Sequence, residues 1–211
     1  LYAFDAEDFH QGDLPSTPEH HRAKQVIGAI ESAYLPGCSY VSAAAPGIAQ
    51  AYVDTYAIPR PITIHNVFPK CNAPIAPTRR GHALPGPSLY WYSQTIGEDR
   101  GLQCAIRAIA KAETQPHLYL RGTASGSVRK NLEATACECR VIHRLHFLPP
   151  EPPHMMERLA SQYDAGLCGE TGATENRKIA LTHKPFSYLL AGIPVLMSDI
   201  PAHRACSKEA S

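Results

Sequence analysis

Lys184 and Arg100 each stand where a helical pattern begins, a position at which positive charge opposes the helix dipole by about 0.3–1 kcal/mol. A bound anion would remove that conflict, and a diphosphate lying between the two side chains is the chemistry they suit. Arg177, a little upstream of Lys184, adds a cation to the same stretch. In the loop 95–101 (TIGEDRG), Gly97 permits a tight turn, and the backbone N–H groups near Arg100 and Gly101 would face a ligand at the helix start. Glu170 follows a strand-like run of small residues; a carboxylate accepts several hydrogen bonds at once, which suits a polyol. Near the start of the chain, Asp5, Glu7, Asp8 and His10 crowd one turn at a strand end. A carboxylate or imidazole there could orient or deprotonate a hydroxyl, and the sequence does not choose among the four. At each place the plain alternative is a solvated loop or capping side chain.

These residues need elements to hold them. Residues 163–198 read as a buried strand (164–168), a polar loop opened by Glu170, a helix begun near Thr182 and a second buried strand (194–197). Thr182 is the expected N-cap, Pro185 is tolerated in the first turn, and Gly192 with Pro194 ends the helix. Phe186, Leu189 and Leu190 share its expected apolar face. Residues 1–69 alternate strand, helix, strand, helix, strand. The first helix opens on a capping box (Ser16, Thr17, Pro18, Glu19) and turns Ala23, Val26, Ile27, Ile30, Ala33 and Tyr34 inward. The second helix does the same with Ile48, Ala49, Tyr52, Val53 and Tyr56. Residues 70–87, with four prolines, Arg79 and Arg80 and no periodicity, suit a linker, or a basic loop near a phosphate. The alternation resumes over 88–211, with strands expected at 88–94, 117–120 and 141–148 and helices at 101–111, 128–135 and around Met156 and Leu159. Such alternation indicates parallel sheets with crossover helices, an α/β class with two Rossmann-like domains (1–69 and 88–211).

The run K-P-F-S-Y-L-L-A-G-I-P-V-L from Lys184, with Glu170 before it, resembles the donor-binding segment of GT-B glycosyltransferases, most of all their family 4 branch. Residues 61–69, ending N-V-F-P, are similar to the last strand of a GT-B N-terminal domain. The resemblance extends over nearly the whole chain. It implies transfer of a sugar from a nucleoside-diphosphate-sugar to a saccharide or other hydroxyl acceptor, with retention of configuration, no metal and no cofactor. It assigns Arg100, Gly101, Thr182 and Lys184 to the donor diphosphate, and Glu170 to the donor sugar as the first acid of an E-x7-E pattern. The acidic turn (Asp5, Glu7, His10) would meet the acceptor. The second acid of that pattern is missing: counting back five positions from Gly192 reaches Ser187, a weaker partner for a ribose. A nucleotide-sugar epimerase of the same fold, and a nucleotide-sugar-binding module without turnover, are the rival readings.

Composition narrows the partners. The chain has 211 residues and a formal net charge of +1, with no basic stripe to neutralise a nucleic-acid backbone. No apolar run approaches the roughly 18 residues of a membrane span, and no basic-then-apolar leader opens the sequence. Seven cysteines without framework spacing suit a reducing compartment. The expected location is therefore the cytoplasm, with room for contact at the inner membrane surface. Cys137-x-Cys139 with His143 and His146 is too tight for usual structural zinc, which leaves a zinc-binding structural protein as the outside reading. The chain opens at Leu1 inside a strand-like run and stops shortly after another, so it reads as a piece of a longer protein in which both domains are incomplete and the closing helix is missing.

Overall fold

The computed structural model describes residues 1–75 and 84–209. Pro77, Arg79 and Arg80 of the expected linker lie outside the described residues. The chain forms two compact units, one of Leu1–Asn66, Thr171–Thr182 and Asp199–Ser211, the other of Val67–Glu170 and His183–Ser198. This division differs from two continuous domains: two short C-terminal segments belong with the N-terminal strands.

The elements of the first unit run β1 (Phe4–Ala6), α1 (His10–Asp13), α2 (His21–Tyr34), β2 (Val41–Ala43), α3 (Pro46–Tyr56) and β3 (Ile62–Thr63). The second unit follows with β4 (Ser88–Ile96), α4 (Leu102–Lys111), β5 (His117–Ala124), α5 (Gly126–Glu138), β6 (Leu145–Leu148), α6 (Met156–Ala160) and β7 (Ala165–Cys168). The chain then supplies α7 (Glu175–Ile179) to the first unit, α8 (Lys184–Leu190) and β8 (Val195–Met197) to the second, and α9 (Pro201–Glu209) to the first. Neither α7 nor α9 was expected; both are short and mostly polar.

In the first unit the strands are parallel in the order β1-β2-β3. Its core is Phe9, Ala43, Ile48, Ala49 and Tyr52, and α3 turns Ile48, Ala49 and Tyr52 inward as its spacing requires. Helix α2 departs from expectation. It buries Gly28 and Glu31, whereas Val26, Ile30 and Tyr34 stand 51, 54 and 63% exposed. The inward carboxylate is held by hydroxyl donors described below, so polar satisfaction sets the face of this helix. The capping box is also absent as such. Thr17 makes no side-chain bond to backbone; its hydroxyl donates to Glu19 Oε1 at 3.1 Å instead.

The second unit is a five-stranded parallel sheet, β6-β5-β4-β7-β8. Side chains of β4 alternate across it. Trp91 joins Leu102, Ile106, Ile109, Leu118, Leu120 and Leu132 under α4 and α5. Tyr90 and Tyr92 join Tyr119, Tyr163, Met156 and Tyr188 on the opposite face, where Tyr90 and Tyr163 stack at 4.3 Å between centroids. Helix α8 is rotated from its expected face: Lys184, Pro185, Ser187 and Tyr188 are buried, and Leu189 is exposed. The Tyr188 ring lies over Gly166 of β7, where the missing side chain makes room for it.

Candidate active site

Sheet order fixes where a ligand of the second unit should lie. From central β4 the chain moves to β5 and β6 on one side, and from β7 to β8 on the other, so the topological switch point falls between β4 and β7. Past β4, a short 3-10 turn (Glu98–Arg100) leads to Gly101, which caps α4 in the left-handed conformation at φ +68°. Past β7 come Gly169 and Glu170. The two loops touch through backbone: a Cβ on Gly169 would lie 2.8 Å from the Arg100 carbonyl oxygen. That approach brings Arg100 Nη1 to 4.0 Å from Glu170 Oε1, the arginine side chain 29% exposed and the carboxylate 4%. The Glu170 N–H is fixed by donating to Ser198 Oγ at 2.9 Å. Two residues separated by 70 positions thus form one partly open ion pair at the switch point. Glu170, within the protein, answers the positive charge of Arg100 at the start of α4.

Lys184 is the first residue of α8 but only 5% exposed, with Nζ 5.5 Å from the centroid of the Trp91 ring. The aromatic face stabilises the ammonium that the helix start disfavours. Thr182 is not the N-cap; that place falls to His183, which makes no side-chain cap bond, and Thr182 Oγ1 is buried without a hydrogen-bond partner among the described residues. Ser187 is fully buried on the inner side of α8 and donates to Glu157 Oε1 at 3.3 Å. Arg177 sits in α7, whose N-cap Thr174 accepts from the Arg177 N–H.

At the ends of β4, β5 and β6 opens a cavity of about 560 Å³, whose lining includes His183 but not Arg100, Gly101, Glu170 or Lys184. A volume in the 300–1,000 Å³ range suits a small organic ligand. Its walls are Tyr92, Pro150, Pro153, Met156 and His183, and its polar groups come from Ser93, Gln94, Arg121 and Glu151. A register shift in β4 between Tyr92 and Thr95 re-aims Ser93 and Gln94. Opposite it stands Gly122 at φ +143°, with the Ser93 carbonyl oxygen in the space a side chain would need. Arg121 is held by two bonds, Nε to Tyr90 Oη and Nη1 to the Pro149 carbonyl, each 2.8 Å. Neither Arg121, Glu151 nor His183 was anticipated. The one available signal was an arginine inside the apolar run HLYLRG. A hollow of about 100 Å³ in the first unit, lined by Ala45, Pro46, Ile179 and Leu181 among others, is too small for a nucleotide.

His183 presents one side to solvent, while its ring packs edge-on to Phe68 and tilted on Tyr92. Desolvation and then the neighbouring Lys184 ammonium push its pKa down to about 4 from an ordinary 6.5. The unfolded chain therefore takes up a proton across a window in which the folded one does not. Stability should fall as pH is lowered from about 6.5 to about 4, and His183→Gln should flatten that dependence in denaturant unfolding between pH 4 and 7.

In the first unit, most of the acidic turn is already engaged. Asp5 Oδ1 accepts from Ser42 Oγ at 2.6 Å, and Asp8 Oδ1 from Asn176 Nδ2 at 2.7 Å. Asn176, fully inside, also accepts the Phe9 N–H and donates to Asp13, which pins α7 to the turn. Glu7 is exposed. His10 differs: its Nδ1 meets Glu31 Oε1 at 3.0 Å, and its side chain is 46% exposed. Glu31 also accepts from Tyr52 Oη at 2.7 Å and from Tyr56 Oη. Both phenols are pushed well above their ordinary pKa, by burial first and then by the Glu31 carboxylate, so they remain donors. A carboxylate-anchored imidazole can orient or deprotonate a hydroxyl; Glu31, its anchor, was assigned to no site by the sequence.

Among the described residues no group of three or more His, Cys, Asp or Glu side chains is arranged to hold a metal, and no helix is long and apolar enough to cross a membrane. His146, one of the residues set against zinc above, bonds its Nε2 to His117 Nδ1 at 2.9 Å. No family model matches the sequence, and no curated protein does. Solved structures do. HepE from Anabaena, in complex with UDP and glucose, superposes with a TM-score of 0.69 at 15% identity, over 96% of this chain and 54% of its own. Sucrose-phosphate synthase from Thermosynechococcus elongatus gives 0.68 at 15% identity, covering 88% and 46%, and TarM from S. aureus 0.65 at 11%, covering 94% and 37%. The fold is that of the GT-B glycosyltransferases. This chain spans about half the length of these GT-B structures or less. Within the GT-B frame the second unit is the sheet that carries Arg100, Glu170 and Lys184, and the first carries His10.

Proposed function

We propose that the chain is the nucleotide-sugar-handling part of a glycosyltransferase, moving a glycosyl unit from a nucleoside-diphosphate-sugar to a saccharide or other hydroxyl acceptor. The observation that carries this reading is the Arg100–Glu170 pair at the switch point of a sheet that also holds a cavity of nucleotide size at its strand ends. The complex of HepE with UDP and glucose supports the same donor class. Arg100 and Gly101 face the diphosphate, Lys184 adds positive potential from its seat on Trp91, and Glu170 accepts from sugar hydroxyls. The bond from the anomeric carbon to the phosphate oxygen breaks with its electrons leaving on the diphosphate. The acceptor oxygen bonds to that carbon and passes its proton to the departing diphosphate oxygen, so the products are the glycoside and the protonated nucleoside diphosphate. His10, anchored on Glu31, orients the acceptor hydroxyl, with Asp5 and Glu7 as the remaining acids of that turn. The family 4 resemblance adds retention of configuration and cation stabilisation by Arg100 and Lys184 in place of a metal.

A second reading, a nucleotide-sugar-binding module without turnover, draws on Ser187, which stands where the family's second acid should be and is turned inward onto Glu157. Product analysis separates the two and also excludes an epimerase. For the site, a calorimetric panel of nucleoside diphosphates against the wild-type chain, Arg100→Ala and Lys184→Ala should show each variant weakening every diphosphate by about tenfold or more, the scale of a lost charge-assisted hydrogen bond. Unchanged affinity in both variants removes these cations from the donor site.

A further inference from the structure

We propose that Arg121 and Glu151 form the base-reading end of the nucleotide site and select guanine. This rests on the donor reading above and adds the identity of the nucleotide. Arg121 is 7% exposed, and its guanidinium is rigid: Nε is committed to Tyr90 Oη and Nη1 to the Pro149 carbonyl, while Nη2 makes no hydrogen bond among the described residues. The residue lines the cavity, so the donors left over are offered to whatever enters it. Glu151 Oε1 lies 3.9 Å from Arg121 Nη1, on the loop after β6, and its half-open carboxylate has no hydrogen-bond donor of its own among the described residues. The cavity therefore presents a fixed donor fork beside an acceptor-only group, between apolar and aromatic walls.

A ligand edge that satisfies both needs an acceptor next to two adjacent donors. Guanine has that edge: O6 beside N1–H and the exocyclic N2–H2, with N7 as a further acceptor for the guanidinium. Two parallel N–H bonds to a carboxylate are charge-assisted and geometrically exacting. Uracil offers one N–H flanked by two carbonyl oxygens, so when that N–H donates to one Glu151 oxygen the other oxygen meets a carbonyl lone pair instead of a second donor. Adenine offers one donor group and one acceptor, and satisfies the pair only in part. Selection thus comes from repulsion of uracil as much as from attraction of guanine.

Calorimetric titration of the wild-type chain with GDP, ADP and UDP tests this, together with Glu151→Gln and Arg121→Lys. Glu151 is exposed enough for its amide variant to fold unchanged, and circular dichroism checks both proteins. The expected result is GDP bound about tenfold or more tighter than UDP, with Glu151→Gln erasing most of that ratio by weakening GDP and tightening UDP, and Arg121→Lys weakening GDP more than UDP. UDP bound as tightly as GDP, or a GDP:UDP ratio untouched by Glu151→Gln, overturns the proposal and leaves the donor reading standing. No response to any diphosphate overturns both.

Discussion

Gly122→Ala should cost the second unit about 3 kcal/mol or more, enough to move its unfolding midpoint by several degrees. Its φ of +143° is one that only glycine adopts without strain, worth about 1–3 kcal/mol by itself. A Cβ would in addition run into the Ser93 carbonyl oxygen, which is backbone and cannot swing away. The β4 bulge would have to open, and the cavity it shapes would open with it. Gly166→Ala is the companion case. There the obstacle is the ring of Tyr188, fully buried and hydrogen-bonded through its hydroxyl to the Tyr90 carbonyl at 3.1 Å, so overpacking of about 1–3 kcal/mol is expected without any change at the cavity. Thermal or urea unfolding measures both, and diphosphate titration should be impaired in Gly122→Ala beyond what its stability loss explains. Wild-type stability in Gly122→Ala would mean the bulge is not held as described.

Glu31→Ala should destabilise the first unit by a comparable amount, about 2–4 kcal/mol. The carboxylate is the shared acceptor of Tyr52, Tyr56 and His10, and Tyr52 is fully buried. Removing it strands the Tyr52 hydroxyl inside, and an unsatisfied buried donor costs about 1–3 kcal/mol, more when its partner was charged. Glu31→Gln keeps an acceptor oxygen and should recover most of the stability. The same amide no longer holds His10 as a carboxylate does, so it should leave stability nearly intact while lowering the turnover of an acceptor. Equal stability for Glu31→Ala and Glu31→Gln would show that the hydrogen bonds, and not merely the shape, contribute little.

Where pattern and burial coincide, the sequence was a sufficient guide. The aromatic alternation of β4 and the Leu102, Ile106, Ile109 stripe of α4 place themselves, because each apolar residue is buried for its own sake. Arg100 and Glu170 were both picked out for their positions after strands, but their pairing depends on β4 and β7 lying side by side, which no local pattern contains. The faces of α2 and α8 are hidden from the pattern for one shared reason. Their inward residues, Glu31 on one and Lys184 and Ser187 on the other, are polar, and each meets a partner 21 to 93 positions away. A scale that counts apolar side chains turns such a helix the wrong way. Helix α7 is the extreme case: five residues, docked by Asn176 onto Asp8, Phe9 and Asp13, more than 160 positions earlier.

The interleaved course of the chain has a consequence for how the protein is made. The first unit holds residues 1–66 but also α7 and α9, and the buried Asn176 side chain of α7 ties that late segment to the early turn. During synthesis strands β1 to β3 must wait for α7 and α9, more than 100 positions further along the chain, before those contacts of their unit can form. The second unit can close once β8 has left the ribosome, ahead of the part that began earlier. Cutting the gene between residues 66 and 88 would accordingly not yield two independent pieces: the upstream product would lack its finishing segments, and the downstream one would carry them as surplus.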